Sequence, residues 1–381
     1  MRKIVAFFAV VAVLIAGAYG ATALMNVPPP HTLAKISASE PSQWGKYFPY
    51  RTIEAGQERP LEAASAKVPS QVNFKDKDIA LQEFLTSTDT NSFLVLQDGK
   101  IAHEWYAKGF DQSSLQSSFS MAKSLVSLMV GQAIDRGELS ETDKLVDILP
   151  ELKKGDAYDT ITVQHLLDMA SGVDVSEVYR EYWPFTGTSR MFLTKDLKKF
   201  VKGHRNLVFK PGTKGDYRSV DTELLGLILA KVTGKNLSEL LSEGVWQPMG
   251  ASHSATWSLD HKDGNEKAFA SVNATARDYA RVGQLVLDDG LVDSERVLPI
   301  AWIDRISEPS PLPVDDWGYS AQWWHPPGGD GADLTAIGIY GQFTYVNPAT
   351  RTVIVKLSDY QTSADEIDII TVFREISSAL S

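Results

Sequence analysis

Ser120-Met121-Ala122-Lys123 opens a stretch, Met121 to Ile134, whose apolar side chains fall almost all round a helical wheel. That pattern predicts a central, buried helix, with Gly137 as its terminator. Residues three apart share a helix face, with Cβ atoms roughly 5–6 Å apart. The spacing therefore sets the Lys123 amine beside the Ser120 hydroxyl in the first helical turn. There the free N–H groups and the positive end of the dipole favour developing negative charge. A serine hydroxyl is a weak nucleophile until a neighbour takes its proton. This is the only S-x-x-K in the chain.

Outward from this helix the hydrophobic period changes. Upstream, Phe93-Leu94-Val95-Leu96 and Ile101 to Tyr106 flank Asp98-Gly99, a turn-forming pair, so Ser92–Tyr106 reads as a hairpin. Downstream, about 140–255 reads as mostly helical. Helices are expected over Thr162–Ala170, Thr222–Val232 (ending near Gly234) and Leu237–Val245, and Asn273 is expected to begin another. After Pro299 strand signals return. Gly318–Trp324 reads as one strand, Thr335–Val346 as a second, and Thr352–Leu357, after the Asn347-Pro348 turn, as its antiparallel partner. Ile367–Leu380 closes the chain as an amphipathic helix. Strands at both ends around a helical insertion predict an α+β fold, one antiparallel sheet flanked by helices. The expected division is 1–25, a leader or anchor; 26–85, a linker and wrapping arm; and 86–381, the main domain.

The chain has 381 residues, 43% hydrophobic and 22% charged, with a formal net charge of −11. That suits a globular protein with a real core. No clustered basic face stands out, which disfavours nucleic-acid binding. With no cysteines, disulfides, thiolate metal sites and cysteine nucleophiles are excluded. The seven histidines form no metal-ligand spacing, so neither a metal nor a cofactor is expected.

Arg2-Lys3 precedes an uncharged, mostly apolar run from Ile4 to Met25, with small residues at Ala18-Tyr19-Gly20-Ala21 and Ala21-Thr22-Ala23. This reads as an export signal. It is also long enough to span a bilayer, so a membrane tether through residues 4–25 stands beside it. Either places the catalytic part outside the cytoplasm, in the periplasm if the source is bacterial. Pro28-Pro29-Pro30 then forms a stiff spacer.

A serine–lysine pair needs a second proton-handling group and donors for an oxyanion. Tyr217, in Tyr217-Arg218-Ser219, follows the turn-rich Pro211–Asp216 and precedes an apolar helix. Its phenol can act on both the attacking and the leaving group. The other Y-x-[SN], Tyr345-Val346-Asn347, runs into an Asn-Pro turn and needs no chemistry to explain it. One oxyanion N–H is that of Ser120. A second is expected from Ile339-Tyr340-Gly341-Gln342, where Gly341 lets the backbone approach a ligand closely.

In this order, Ser120-x-x-Lys123, Tyr217-x-Ser219 and the Gly341 segment resemble the serine β-lactamase and penicillin-binding-protein superfamily, of which S-x-x-K is a signature. Gln164–Gly172, Phe209-Lys210-Pro211-Gly212 and Thr275-Ala276-Arg277-Asp278 are similar to phrases of its hydrolase branch, which holds class C β-lactamases, esterases and 6-aminohexanoate-dimer hydrolases. The last is the nearest in Trp323-Trp324 and Gly338–Gln342. The resemblance covers roughly residues 85–380. It implies a β-lactamase/transpeptidase-like fold, an acyl-serine intermediate and a small-molecule amide or ester substrate. It also implies that Gln342 supplies the second oxyanion N–H. Whether Lys123 or Tyr217 is the base stays open, since the two titrate as a coupled pair.

Two departures stand out. Ile339-Tyr340-Gly341 replaces the Lys-Thr-Gly of β-lactamases, removing the cation that holds a substrate carboxylate. Ser219 replaces the usual Asn. Both favour an amidase or esterase pocket. Tyr182, in the aromatic Tyr179–Phe185 stretch, lines the cleft or covers the core. Trp323 and Trp324, adjacent on a strand, point to opposite faces, so one of them, taken as Trp324, faces the pocket. His165, in an apolar helix, reads as structural. The competing functions are a β-lactamase or penicillin-binding D-Ala-D-Ala carboxypeptidase, and a non-catalytic envelope binding protein. Oligomeric state is not legible.

Overall fold

The computed structural model describes residues 2–179, 185–329, 331–361 and 365–381. Its centre is a seven-stranded antiparallel sheet. The strands are β1 (Thr90–Gln97), β2 (Lys100–Tyr106), β3 (Gly318–Ser320), β4 (Trp323–His325), β5 (Leu334–Gly338), β6 (Gln342–Asn347) and β7 (Thr352–Ser358). Their spatial order is β3-β4-β5-β6-β7-β1-β2. The first hairpin, β1–β2, thus pairs with the last strand, through Val355↔Leu94 and its neighbours. Asp98 and Gly99 turn that hairpin with φ of 48° and 75°. Strand β7 is buried along its whole length, as a strand covered on both faces must be.

Helices cover both faces. Besides the N-terminal α1 (Arg2–Leu24), those that matter here are α2 (Pro30–Ser37), α3 (Met121–Asp135), α4 (Gly187–Leu193), α5 (Ser219–Thr233), α6 (Ala276–Leu287) and α7 (Glu366–Leu380). On one face α6 lies so close that a Cβ on Gly283 would come within 2.5 Å of Val353 Cγ1. On the other, Ile369, Ile370, Phe373 and Ile376 of α7 pack on Phe93, Phe343, Tyr345 and Ile354. Helix α3 is buried on almost every side, as its sequence predicts. It joins the sheet to the helical part, where α5 ends at Gly234 in the left-handed conformation.

A second, four-stranded sheet runs Tyr50–Ile53, Ala255–Ser258, Val272–Ala274, Gln116–Ser117. It corrects one reading: Asn273 lies in a strand, and α6 starts after Thr275, whose side chain accepts from the Asp278 N–H. The capping residue was the Thr, not the Asn. Two expected long strands are hairpins. Gly318–Trp324 breaks at Ala321 and Gln322, both at positive φ. Thr335–Val346 breaks at Ile339-Tyr340-Gly341, between β5 and β6. In each, both arms of a hairpin have strand-like composition, so the turn is masked.

Residues 26–85 carry α2, a short helix Pro41–Tyr47, the outer strand of the small sheet, a hairpin (Gln71–Phe74 with Lys77–Ala80) and the helix Leu81–Ser87. Lys3–Leu24 is long and apolar enough to cross a membrane, and none of its hydrophobic window is buried. This exposed apolar helix fits a signal peptide or an anchor.

Candidate active site

The strand Gln116–Ser117 leads through one tight turn into α3. The Ser118 N–H donates to Val272 O at 2.7 Å, and Ser118 Oγ accepts from the Val272 N–H at 3.1 Å. The turn itself is made by Phe119 at φ 40°, where a bulky side chain is strained by on the order of 1–3 kcal/mol. Phe119 is held there by edge-on contacts with Tyr340 and Trp44, ring centroids 4.8 and 5.8 Å away. The turn places Ser120 as the N-terminal cap of α3, half-buried, with its side chain at the mouths of two cavities.

Lys123 Nζ lies 2.9 Å from Ser120 Oγ and donates to Phe269 O, also at 2.9 Å. It is 2% exposed. Burial pushes its pKa down to about 7, against a weaker pull upward from the Glu177 carboxylate. The ammonium sits 5.0 Å from the centre of the Tyr217 ring. Burial pushes the Tyr217 phenol well above its usual range, while a side-chain hydrogen bond with Ser120 pulls the other way. Ser120, Lys123 and Tyr217, set apart along the chain, therefore meet at one point.

Tyr217 is fixed from behind. Trp324 stacks on it with ring centroids 5.4 Å apart, and Tyr319 meets Trp324 edge-on at 4.8 Å. Trp324 lines the second cavity; its neighbour Trp323 is fully buried. The β3–β4 turn that sets this register is pinned by Asp168, which accepts from the Ala321 N–H at 3.0 Å, and by Gln322, which donates to Leu166 O at 2.9 Å. His165 caps its own helix through Nδ1, which accepts from the Thr162 N–H at 3.2 Å.

The other candidates are placed less directly. Ser219 opens α5 and lines the first cavity, but its N–H and Oγ both donate to Glu177, at 2.7 and 3.1 Å. Tyr182 lies outside the described residues. The Gly341 and Gln342 expectation needs correction. Gly341 sits in the hairpin turn at φ 76°, with its N–H donated to Gly338 O. Gln342 is on β6, its side chain 2% exposed and donating to Ser358 O at 2.6 Å. Neither residue lines a cavity at Ser120; Ile339 lines both. The glycine that lets the strand close on the serine is Gly338, where a Cβ would sit 2.5 Å from Ser118 O. Among the described residues no protein acceptor takes the N–H of Ile339 or of Ser120.

Three features carried no sequence signal. Glu177 gathers the N–H and Oγ of Ser219, Thr188 Oγ1 at 2.6 Å and Tyr179 Oη at 2.5 Å. Beneath the Ile339–Gly341 turn, Lys356 Nζ donates to Ser358 Oγ at 2.9 Å, and Ser358 Oγ donates to Tyr340 O and Gly341 O at 2.8 and 2.7 Å. Trp44, far upstream, walls the first cavity. Among the described residues no group of three or more His, Asp or Glu side chains is arranged to hold a metal ion.

A profile of the β-lactamase family matches residues 81–373. The chain belongs to that family. Within it, the chain is 30% identical over 297 residues to a 6-aminohexanoate-dimer hydrolase of Paenarthrobacter ureafaciens, an alignment spanning 74% of this chain and 75% of that one. A Bacillus anthracis structure provisionally assigned as a 6-aminohexanoate-dimer hydrolase superposes with a TM-score of 0.81 at 23% identity, covering 89% of this chain and 93% of that one. A family VIII carboxylesterase gives a TM-score of 0.62 at 16% identity, over 78% and 95%. The protein is a hydrolase of the serine β-lactamase and penicillin-binding-protein superfamily, with a β-lactamase/transpeptidase-like fold.

Proposed function

We propose that this β-lactamase-family hydrolase cleaves esters or amides through an acyl-serine at Ser120, with Lys123 as the base and Tyr217 as the acid. The observation that carries the reading is Ser120 Oγ lying 2.9 Å from a buried amine with a pKa of about 7, at the mouths of two cavities. An amine poised near neutrality is matched to taking a proton at working pH. The phenol, with its pKa pushed upward, stays protonated and suits donation.

Lys123 Nζ takes the Ser120 proton as Oγ attacks the carbonyl carbon. The N–H groups of Ser120 and Ile339 receive the oxyanion; one such donor is worth on the order of 10²–10³ in rate. As the bond from carbon to the leaving oxygen or nitrogen breaks, the Tyr217 phenol gives that atom its proton and is reprotonated from Lys123. Water then adds to the acyl carbon as neutral Lys123 takes one of its protons, the bond to Oγ breaks, and Lys123 Nζ passes that proton to Ser120 Oγ. Trp324 and Ser219 support this arrangement by holding Tyr217 and Glu177.

Cavity chemistry favours this over the β-lactamase reading. The second cavity, on the Tyr217 side, is lined by Asp174, Glu177, Asp216, Asp315 and Glu366. Among the described residues its one lining cation, Arg218, is paired with Asp216 and donates to Val173 O at 2.8 Å. A leaving group bearing a carboxylate is repelled there. The family VIII carboxylesterase neighbour fits that acidic cavity, and the relative named for 6-aminohexanoate-dimer hydrolysis supports amide cleavage of a small-molecule substrate, though the linear dimer itself, whose leaving amine carries a carboxylate, does not suit this cavity. The exposed α1, with basic residues only at its start, supports a domain held outside the cytoplasm of a bacterium, released by cleavage or tethered through residues 4–25.

The test is a fluorophosphonate label located by mass spectrometry, with a hydrolysis panel of esters, linear amides and nitrocefin. Labelling at Ser120, with panel turnover abolished in Ser120→Ala, is expected. Turnover by Ser120→Ala at the wild-type rate defeats the reading. Turnover of nitrocefin above the esters and amides transfers it to a β-lactamase.

A further inference from the structure

Ser120 stands between two unlike cavities. The first, about 570 Å³, is walled by Ile36, Trp44, Phe119, Phe192, Phe269 and Tyr340. The second, about 680 Å³, is the acidic one. Tyr217 lines the second and not the first. An acid must lie within hydrogen-bond reach of the atom it protonates. The leaving group therefore points toward Tyr217, and the acyl portion points the other way.

We infer that the aromatic cavity is an acyl-binding site for an apolar chain or aryl group, roofed by the N-terminal arm, with Trp44 as its specificity-determining residue. This deepens the proposed acyl-serine reading and rests on it. The arm is not a loose tether. Its Ser42 N–H and Oγ donate to the Asp359 carboxylate at 2.7 and 2.8 Å, and Asn91 Nδ2 donates to the same carboxylate at 2.9 Å. Trp44 Nε1 donates to Ser39 O at 3.2 Å. The indole is wedged among Phe119, Phe192 and Tyr340, ring centroids 5.8, 6.0 and 5.5 Å away. From the first turn of α3 and the oxyanion turn, the wall runs to Ile36 of α2, which is 1% exposed. A cavity of this size and lining takes a drug-sized apolar group.

Each methylene buried on the acyl side raises kcat/KM about fourfold until the cavity is full. The experiment uses the full chain in detergent and two ester series. One varies the acyl group from acetyl to octanoyl with a fixed leaving group. The other varies an alkyl leaving group with a fixed acyl group. A steep rise in the first series and a shallow one in the second is expected. Trp44→Ala flattens the acyl series. Val178→Asp, at a cavity-lining residue 53% exposed and so outside the core, lowers the octanoyl-to-acetyl ratio at least tenfold. A rise that follows the leaving group, or an acyl slope unmoved in both variants, overturns the assignment. Fluorophosphonate labelling of Ser120 in the same samples separates the outcomes. Labelling without an acyl slope defeats only this inference; failure to label defeats the acyl-serine reading beneath it.

Discussion

Lys123 and Lys356 are both almost wholly buried. Each donates to a serine Oγ at 2.9 Å, Lys123 to Ser120 and Lys356 to Ser358. Each also donates to a main-chain carbonyl, Phe269 O at 2.9 Å and Thr88 O at 3.1 Å. Burial lowers both to a pKa of about 7. What separates them is the serine. Ser120 caps a helix, opens onto two cavities and shares a hydrogen bond with a phenol. Ser358 is 2% exposed, and its proton is committed to the carbonyls of the Ile339–Gly341 turn. A serine–lysine contact with a softened amine is therefore not a catalytic unit by itself. In the proposed mechanism, access, a helix N-terminus and a partner acid make one of the two reactive. The other serves as a buttress under the proposed oxyanion donor.

Substituting each lysine is the sharpest way to break this pairing. Lys123→Met is expected to lower kcat by on the order of 10²–10⁴, the usual worth of a positioned base, and to slow fluorophosphonate labelling in parallel. Lys356→Met is expected to fold, because replacing a buried charge by an apolar side chain of similar shape is often neutral or better. Its kcat is expected to fall on the order of 10²-fold, with KM changed far less, because a displaced oxyanion donor acts only in the transition state. The acid limb of its pH profile stays where it was, since Lys123 still sets it. If the two variants lose activity equally and Lys356→Met moves the limb, Lys356 takes part in the proton chemistry and the contrast fails.

How much of this was readable follows the range of the interactions. The serine–lysine contact is set by helical spacing within one turn, and α3 announces its burial by apolar residues on every side. Tyr217 was legible because a turn-rich loop and an apolar helix bracket it. The glycine of close approach was misplaced because two glycines stand three apart. Gly341 makes the turn, whereas Gly338 allows the close approach to Ser118 O, and composition does not tell those roles apart. Glu177, Trp44 and Lys356 reach the site from loops, arm and sheet distant along the chain, where no local period points to them. Phe119 was hidden for another reason: nothing in its side chain signals positive φ.

Glu177 sharpens the comparison further, because it acts on Lys123 through space. Its carboxylate raises the Lys123 pKa, so Glu177→Gln lowers it and moves the acid limb of kcat/KM to lower pH. The same substitution leaves Lys356 untouched, since the carboxylate that acts on Lys356 is Asp89. A limb that stays in place, measured from pH 5 to 9, assigns it to a group other than Lys123.

The smallest effect lies in stability. Lys123 and Lys356 titrate at about 7 in the folded chain, and Lys267, caged by Phe48 and Phe192, at about 8. An unfolded lysine holds its proton to about 10.4. Between about pH 8 and 10 the unfolded chain thus binds protons the folded chain has shed, and these groups make stability rise with pH. Asp221 and Glu223, raised by burial to about 8, act in the opposite direction. Between about pH 4 and 8 the folded chain keeps protons the unfolded chain has lost, so their contribution falls as pH rises. Lys356→Met should therefore gain on wild type most near pH 6 and least near pH 10. Asp221→Asn should gain most above pH 8. Thermal melts of the full chain at pH 6, 8 and 10 are expected to show these opposed trends as shifts of a few degrees. Parallel curves for the two variants would mean that neither buried group changes its proton occupancy on folding.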